Sequence, residues 1–208
     1  MRKLIVAELI SLDGVIQAPG GPEEDTSGGF RFGGWVAPYA DDATGEAVQE
    51  LLSHPFELLL GRNTYDIWAA YWPYVPADSG SRVIADPFNS VPKQVATHRP
   101  ATLDWHNSHA LVGDLAGAIR ELKRQDGADL LAWGSGDMVR RLLAAALVDE
   151  LWLQIHPVVL GRGKRLFDDN SAASAFSLAH SETTAGGVLI TRYVRSGEVR
   201  TGAIGEAE

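Results

Sequence analysis

The amino-acid sequence predicts one α/β domain, a central mixed and mostly parallel sheet flanked by helices and finished by a C-terminal antiparallel hairpin. Three observations point there. Residues 3–10, KLIVAELI, are apolar and β-branched, so a buried strand begins almost at once. Short apolar segments of the same kind then alternate with stretches at helical spacing, the order that builds parallel sheets. Near the end, SLAHSETTAGGVLITRYV reads as two strands around Gly186-Gly187, a hairpin. A length of 208 residues suits one domain, placed at 1–196 with a polar tail at 197–208, and 45% hydrophobic with 22% charged residues supports a sizeable core rather than disorder.

Taken in order, the first strand is closed by the turn signal Asp13-Gly14. Residues 17–39 are crowded with Gly and Pro and lack periodicity, which predicts a long mobile insert, a lid or a binding loop. Residues 41–53, DDATGEAVQELLS, carry acids at the front and Val48, Leu51 and Leu52 on one side, an amphipathic helix. FELLLG is a strand stopped by Gly61, followed by a short helix over Thr64 to Ala70. The Pro- and Trp-bearing stretch beyond reads as surface. KQVATH before Pro100 is a strand, and Ser108 to Val112 a further one. Asp114 to Gln125 spaces Leu115, Ile119 and Leu122 as a helix that ends on Lys123 and Arg124, charges suited to a helix C-terminus. ADLLAW is a strand, Gly134-Ser135-Gly136 turns the chain into a helix over Asp137 to Ala146, and ELWLQIHPVVLG reads as one long strand.

Composition removes several function classes. Eighteen basic against 27 acidic residues give a net charge of −9, which repels a phosphate backbone, so no nucleic-acid partner is expected. Without cysteine there is no thiolate nucleophile, disulfide or Cys-ligated zinc. No window approaches the roughly 20 apolar residues of a membrane span, and the expectation is a cytoplasmic protein with no membrane partner. G-x-S-x-G and H-E-x-x-H are absent, which sets aside serine hydrolases and zincins. His106 and His109 have no third ligand spaced nearby, so no metal is expected. His156, before Pro157, reads as a core histidine.

Chemistry concentrates at three strand ends. In LLAWGSGDMVRRLLAAAL the turn Gly134, Ser135, Gly136, Asp137, Met138 admits two readings: an anion cradle at a helix N-terminus, or a tight turn with Ser135 or Asp137 as cap. It is not a dinucleotide fingerprint, because the third glycine of G-x-G-x-x-G falls at Val139. GRNTY offers Gly61, Arg62, Asn63 and Thr64 either to a phosphate or to an ordinary helix start. Thr97-His98-Arg99 is either a nucleotide contact or a surface loop. All three follow strands, and open α/β sheets bind ligands beyond the carboxyl ends of their strands. Asp13 in SLDG is a candidate acid for substrate or proton relay, or simply a turn residue. Trp35 is a pocket wall or an aromatic pinning the insert. Arg162, Lys164 and Arg165 read as a turn at the rim of the site or a subunit contact.

The run LIVAELISLDGVI, GRNTYDIW, KQVATHR and LLAWGSGDMVRRLLAAALVDELWLQIHPVVLGRGKRLF, over residues 2–194, resembles the dihydrofolate-reductase-like superfamily. It is most similar to stand-alone relatives of the riboflavin-biosynthesis reductase domain. The resemblance implies NADPH as cofactor and hydride transfer to a small-molecule substrate, pterin-like, pyrimidine-like or carbonyl. It implies Arg62 and Arg99 near the 2′-phosphate, Thr97 and His98 beside the adenine, and Gly61, Asn63, Thr64 and Gly134 to Met138 around the pyrophosphate. Leu9 and Ile16 would hold the nicotinamide, Asp42 or Glu46 would supply the substrate acid of the first helix, and a homodimer is expected. The zinc deaminase half of the bifunctional riboflavin enzyme is not expected, for want of Cys. Two other readings stand beside the reductase: a nucleotide-binding protein of this fold without turnover, and a true dihydrofolate reductase.

Overall fold

The computed structural model describes residues 1–169 and 171–205. Eight strands form one sheet in the order β4-β3-β2-β5-β1-β6-β8-β7. They are β1 (Leu4–Ser11), β2 (Phe56–Gly61), β3 (Lys93–Ala96), β4 (Ser108–Leu111), β5 (Asp129–Trp133), β6 (Glu150–His156), β7 (Ala175–Thr183) and β8 (Leu189–Gly197). The first six run parallel, with β1 at the centre pairing Leu4 with Leu130 of β5 and Ile5 with Glu150 of β6. The C-terminal hairpin adds β8 antiparallel to β6, and β7 antiparallel to β8.

Helices cover both faces, and the period-2 alternation of each central strand divides its apolar residues between them. Leu4, Val6 and Ile10 of β1, Leu59 of β2 and Leu130 and Ala132 of β5 pack under α4 (Leu115–Arg124) and α5 (Gly136–Ala144). Ala7, Leu58, Leu60, Val95 and Leu131 point the other way, against α1 (Asp42–Ser53), α2 (Arg62–Ala69) and α3 (Arg82–Ser90). The unbroken apolar runs of the sequence are therefore strands buried on both sides. α1 starts on a capping box: the Thr44 N–H donates to the Asp41 carboxylate at 2.9 Å while the Asp41 N–H donates to Thr44 Oγ1 at 3.0 Å.

Three expectations are corrected. The stretch read as surface contains α3, which has Pro87 inside it and drives Phe88 into the core, stacked on Trp68 at 4.8 Å. Tertiary burial of Phe88 and Ala85 outweighs the break that a proline signals. The long strand stops at His156, where Pro157 removes a ladder donor, and residues beyond it leave the sheet. The insert at 17–39 is no loose loop: Phe30 and Trp35 are buried with Val15 and Ala18 in a third small core, against Leu9, Val36, Val158 and Leu160. Among the described residues no helix is long and apolar enough to cross a membrane.

Candidate active site

A cavity of about 710 Å³ lies over the carboxyl ends of the parallel strands. Its walls come from the residues that leave β2 (Gly61 to Thr64), β3 (Ala96 to His98), β4 (Leu111, Gly113) and β5 (Trp133 to Met138), with Glu8 and Ile16 from the β1 side. Such placement follows from the strand order, because the connections after the neighbouring strands β1 and β5 leave in opposite directions, through α1 on one face and α5 on the other, and open a crevice between them.

Two predicted turns are tied into one wall. The Gly61 N–H donates to Ser135 Oγ at 2.8 Å, and the Ser135 N–H donates to Thr64 Oγ1 at 3.0 Å. Ser135 therefore does not cap α5 with its hydroxyl; it cross-links strand ends and sits at φ +61° to do so. The approach is close enough that a Cβ on Gly134, itself at φ +68°, would meet Thr64 at 3.2 Å, and one on Gly61 would meet Ser135 at 3.3 Å. The first turn of α5, Gly136 to Met138, borders the space so created, with the N–H groups that a helix start leaves without intrahelical partners. A small-molecule site spans roughly 300–1,000 Å³. In volume and in its glycine-lined cradle the cavity fits a dinucleotide.

Every predicted cofactor residue lines this cavity except Leu9 and Arg99. Leu9 alternates to the other face of β1 from Glu8 and borders a second, small cavity instead. Arg99 is exposed and pairs with Asp66 at 3.2 Å outside the lining. Arg62 lines the cavity, but its guanidinium is engaged: it donates to Asp66 at 2.7 Å, the Arg99 carbonyl at 2.8 Å and Thr102 Oγ1 at 2.8 Å. It braces the loop that carries Thr97 and His98. Arg141, which the sequence reading passed over, lines the same cavity exposed and makes no ion pair among the described residues.

The predicted catalytic and substrate residues Asp13, Trp35 and Asp42 line neither cavity, and Trp35 takes the second of its two readings. The Asp13 carboxylate accepts from the N–H groups of Leu160 and Gly161, at 3.1 and 2.9 Å, and from Ser11 Oγ at 2.7 Å. Burial alone would raise its pKa, but these donors together outweigh burial and hold it at about 2. It is a clamp between the β1 turn and the segment after β6, and it has no proton to give at neutral pH. Trp35 is buried, donates from Nε1 to the Gln17 carbonyl at 2.9 Å and meets His156 edge-on at 5.3 Å, so it pins the insert from within. Asp42 and Glu46 are exposed on α1. Lys164 and Arg165 do border the rim, paired with Asp25 and Asp13.

Glu8 is the acid that the sequence reading missed. Only 3% exposed, it lines the large cavity and also the small one, about 30 Å³, that Val48, Leu51 and Trp152 bound on the α1 side. Trp133 is the other residue that the two cavities share. Burial lifts the Glu8 carboxyl well above the usual carboxylate range, against a hydrogen bond from the Gly134 backbone. Its Oε1 has no hydrogen-bond partner among the described residues. The signal in the sequence was a lone carboxylate inside LIVAELIS, a strand otherwise fit to be buried on both faces.

Sheet order, hairpin and crevice together are those of the dihydrofolate-reductase-like fold. Within that class the chain belongs to the RibD C-terminal domain family, whose model matches residues 2–190. The uncharacterized protein YyaP of Bacillus subtilis strain 168 is 25% identical over 193 residues, 92% of this chain and 94% of that protein. A Shewanella sp. PV-4 protein named for riboflavin biosynthesis superposes with a TM-score of 0.66 at 23% identity, covering 93% of this chain and 99% of its own. Enterococcus faecalis dihydrofolate reductase, complexed with NADP(H), superposes with a TM-score of 0.56 at 14% identity, covering 93% and 96%. Likeness at these identities establishes the fold.

Proposed function

We propose that the protein is an NADPH-dependent reductase that passes a hydride to a small molecule with a polar double bond, a carbonyl or the C=N of a pterin-like or pyrimidine-like ring. The observation that carries this reading is the glycine-lined wall at the strand ends, tied by Ser135, which opens onto a buried carboxylic acid. Asn63, Thr64 and the first turn of α5 hold the pyrophosphate, while Thr97 and His98 flank the adenine. Arg62 fixes their loop and brings positive charge toward a 2′-phosphate; Arg141 is a second cation in reach of the cavity. Ile16 covers the nicotinamide end. The dihydronicotinamide, when bound, supplies the hydride; the chain orients the two reactants and excludes water, and such positioning provides much of the rate enhancement. The chain works as a homodimer, a second copy covering the C-terminal hairpin.

The test is titration with NADPH and with NADH, read by the tryptophan fluorescence to which Trp68 and Trp133 of the cavity wall contribute. Saturable NADPH binding, weakened by Arg62→Ala far more than NADH binding, supports a 2′-phosphate contact. Equal loss of both dinucleotides assigns Arg62 to bracing the 97–102 loop alone, and saturation by neither sinks the reductase reading. A panel of pterins including dihydrofolate, aminopyrimidines, quinones and carbonyls then follows NADPH oxidation. The exposed positions of Asp42 and Glu46, away from both cavities, favour a second reading, a dinucleotide-binding protein without turnover. Binding without oxidation across the panel would establish it.

A further inference from the structure

Within the reductase reading, we propose that Glu8 is the proton donor: a carboxylic acid standing where the dinucleotide cavity meets the small cavity beside α1, with one oxygen left without a partner to face the substrate. The geometry is specific. At the Ala7–Trp133 register β5 ends, so Glu8 is the first β1 residue past its neighbour, and the Gly134 N–H that turns the chain toward α5 hydrogen-bonds its carboxyl group. Leu153 of β6 flanks it on the other side. A purely structural side chain at this point would be apolar, like Leu4, Val6 and Ile10 on the same face. A buried oxygen with no partner costs stability, and such groups gather where a ligand completes them.

Among the described residues no cation pairs with Glu8, and the Gly134 N–H alone favours its anion. The cations of the large cavity are committed elsewhere: Arg62 to Asp66, Arg140 to Asp137 and Asp168, Lys164 to Asp25 and Arg165 to Asp13. Arg141 and His98 are exposed. The anions Glu24, Asp25, Asp137 and Asp168 line the same cavity, and the α1 side contributes Ala47, Val48 and Leu51, which carry no charge. Burial accordingly keeps the acid protonated above the usual carboxylate range.

The step balances. The substrate's C=O or C=N carbon accepts the hydride, its oxygen or nitrogen accepts the proton from the Glu8 carboxyl, and the double bond is reduced by two electrons while NADPH leaves as NADP⁺. Water entering through the large cavity returns a proton to the carboxylate. Substrates are thus those whose reducible heteroatom needs a donor, and isolated carbon–carbon double bonds are excluded.

Two measurements on Glu8→Gln test this, one of them independent of turnover. In the infrared difference spectrum of wild type minus E8Q at neutral pH, the carbonyl band of a protonated carboxylic acid is expected; a carboxylate band alone would overturn the proposal. In single turnovers with the best substrate of the panel, E8Q is expected to bind NADPH within about twofold of wild type yet transfer hydride about 10² to 10⁴ times more slowly. The wild-type rate falls as rising pH deprotonates Glu8, and the E8Q rate loses that limb. Undiminished transfer by E8Q overturns the role while leaving the reductase reading intact. Failure of wild type to bind or oxidise NADPH overturns that reading, and with it the role, even where the infrared band is present.

Discussion

Asp13 and Glu8 show how little a side chain's type says about its task. In the sequence Asp13 looks like the chemical residue and Glu8 like an interruption in a strand; burial and partners put Asp13 in a clamp and Glu8 on the cavity wall. The donors that fix Asp13 come from Leu160 and Gly161, across the whole chain, and no local pattern reveals them. Because the folded pKa of Asp13 is depressed from 3.8 to about 2, its contribution to stability is fully present above the unfolded value and is lost as pH falls through the folded one. Asp13→Asn should therefore cost about 1–2 kcal/mol at neutral pH, allowing for partial solvent screening, and the cost should shrink as pH drops from about 4 to about 2. Urea denaturation across that window measures it, and NADPH-dependent hydride transfer by the folded variant should persist, because Asp13 is a clamp. Glu8 has the opposite sign. Its raised folded value makes its contribution greatest below the ordinary 4.5 and lost as pH rises through the folded value. The stability of Glu8→Gln relative to wild type should accordingly rise as pH climbs from the ordinary 4.5 through the folded value, and a parallel denaturation series in which the difference stays flat would place an anion at Glu8.

At the level of elements, the strand–turn–helix units were legible because both ends of each carry local signals: apolar runs, then Gly, then helical spacing. What joins them was not. Ser135 reaches Gly61 and Thr64 across more than 70 residues, so the sequence showed two separate glycine turns where the fold makes one wall. The helix α3 was hidden for a related reason, since Pro87 reads as a break and only the packing of Phe88 against Trp68 overrides it. Two alanine substitutions separate strain from site chemistry. Gly134→Ala and Gly161→Ala each place a Cβ on a residue at positive φ, +68° and +74°, which costs about 1–2 kcal/mol. Only at Gly134 does that Cβ also press on Thr64, at 3.2 Å, inside the cavity wall; at Gly161 it meets nothing within 4 Å. Both variants should lose stability by thermal melting, Gly134→Ala at least as much as Gly161→Ala, and only Gly134→Ala should weaken NADPH binding in the fluorescence titration. A matching loss of binding in Gly161→Ala would trace the effect to general destabilisation.

For the whole molecule, the same alternation that hides the core strands leaves one part of the sheet bare. Leu151 and Leu153 of β6 face the helix layer of α4 and α5, and by register the same face continues through Tyr193, Thr191 and Leu189 of β8 to Leu178 of β7. The helix layer ends before the hairpin does, so Leu178 and Leu189 remain 55% and 40% exposed on the outermost strands, and among the described residues β7 has no neighbour on its far edge. An apolar sheet face with an open edge is a surface that proteins ordinarily cover, and a second copy related by a two-fold axis covers the matching face of its partner with one set of contacts. A dimer through this face would leave the large cavity free, because its walls lie at the ends of β2, β3, β4 and β5; the hairpin meets only the small cavity, at Ile190 and Thr191 of β8. The wild-type chain should therefore elute as a dimer in light-scattering chromatography and keep its NADPH binding in that state. Leu178→Glu should shift the equilibrium toward monomer by about 10-fold or more, the worth of one buried leucine, without lowering the melting temperature of the monomer. A wild-type chain that stays monomeric at every concentration would assign the bare face to another partner and leave the crevice, with its buried acid, as a site complete within one subunit.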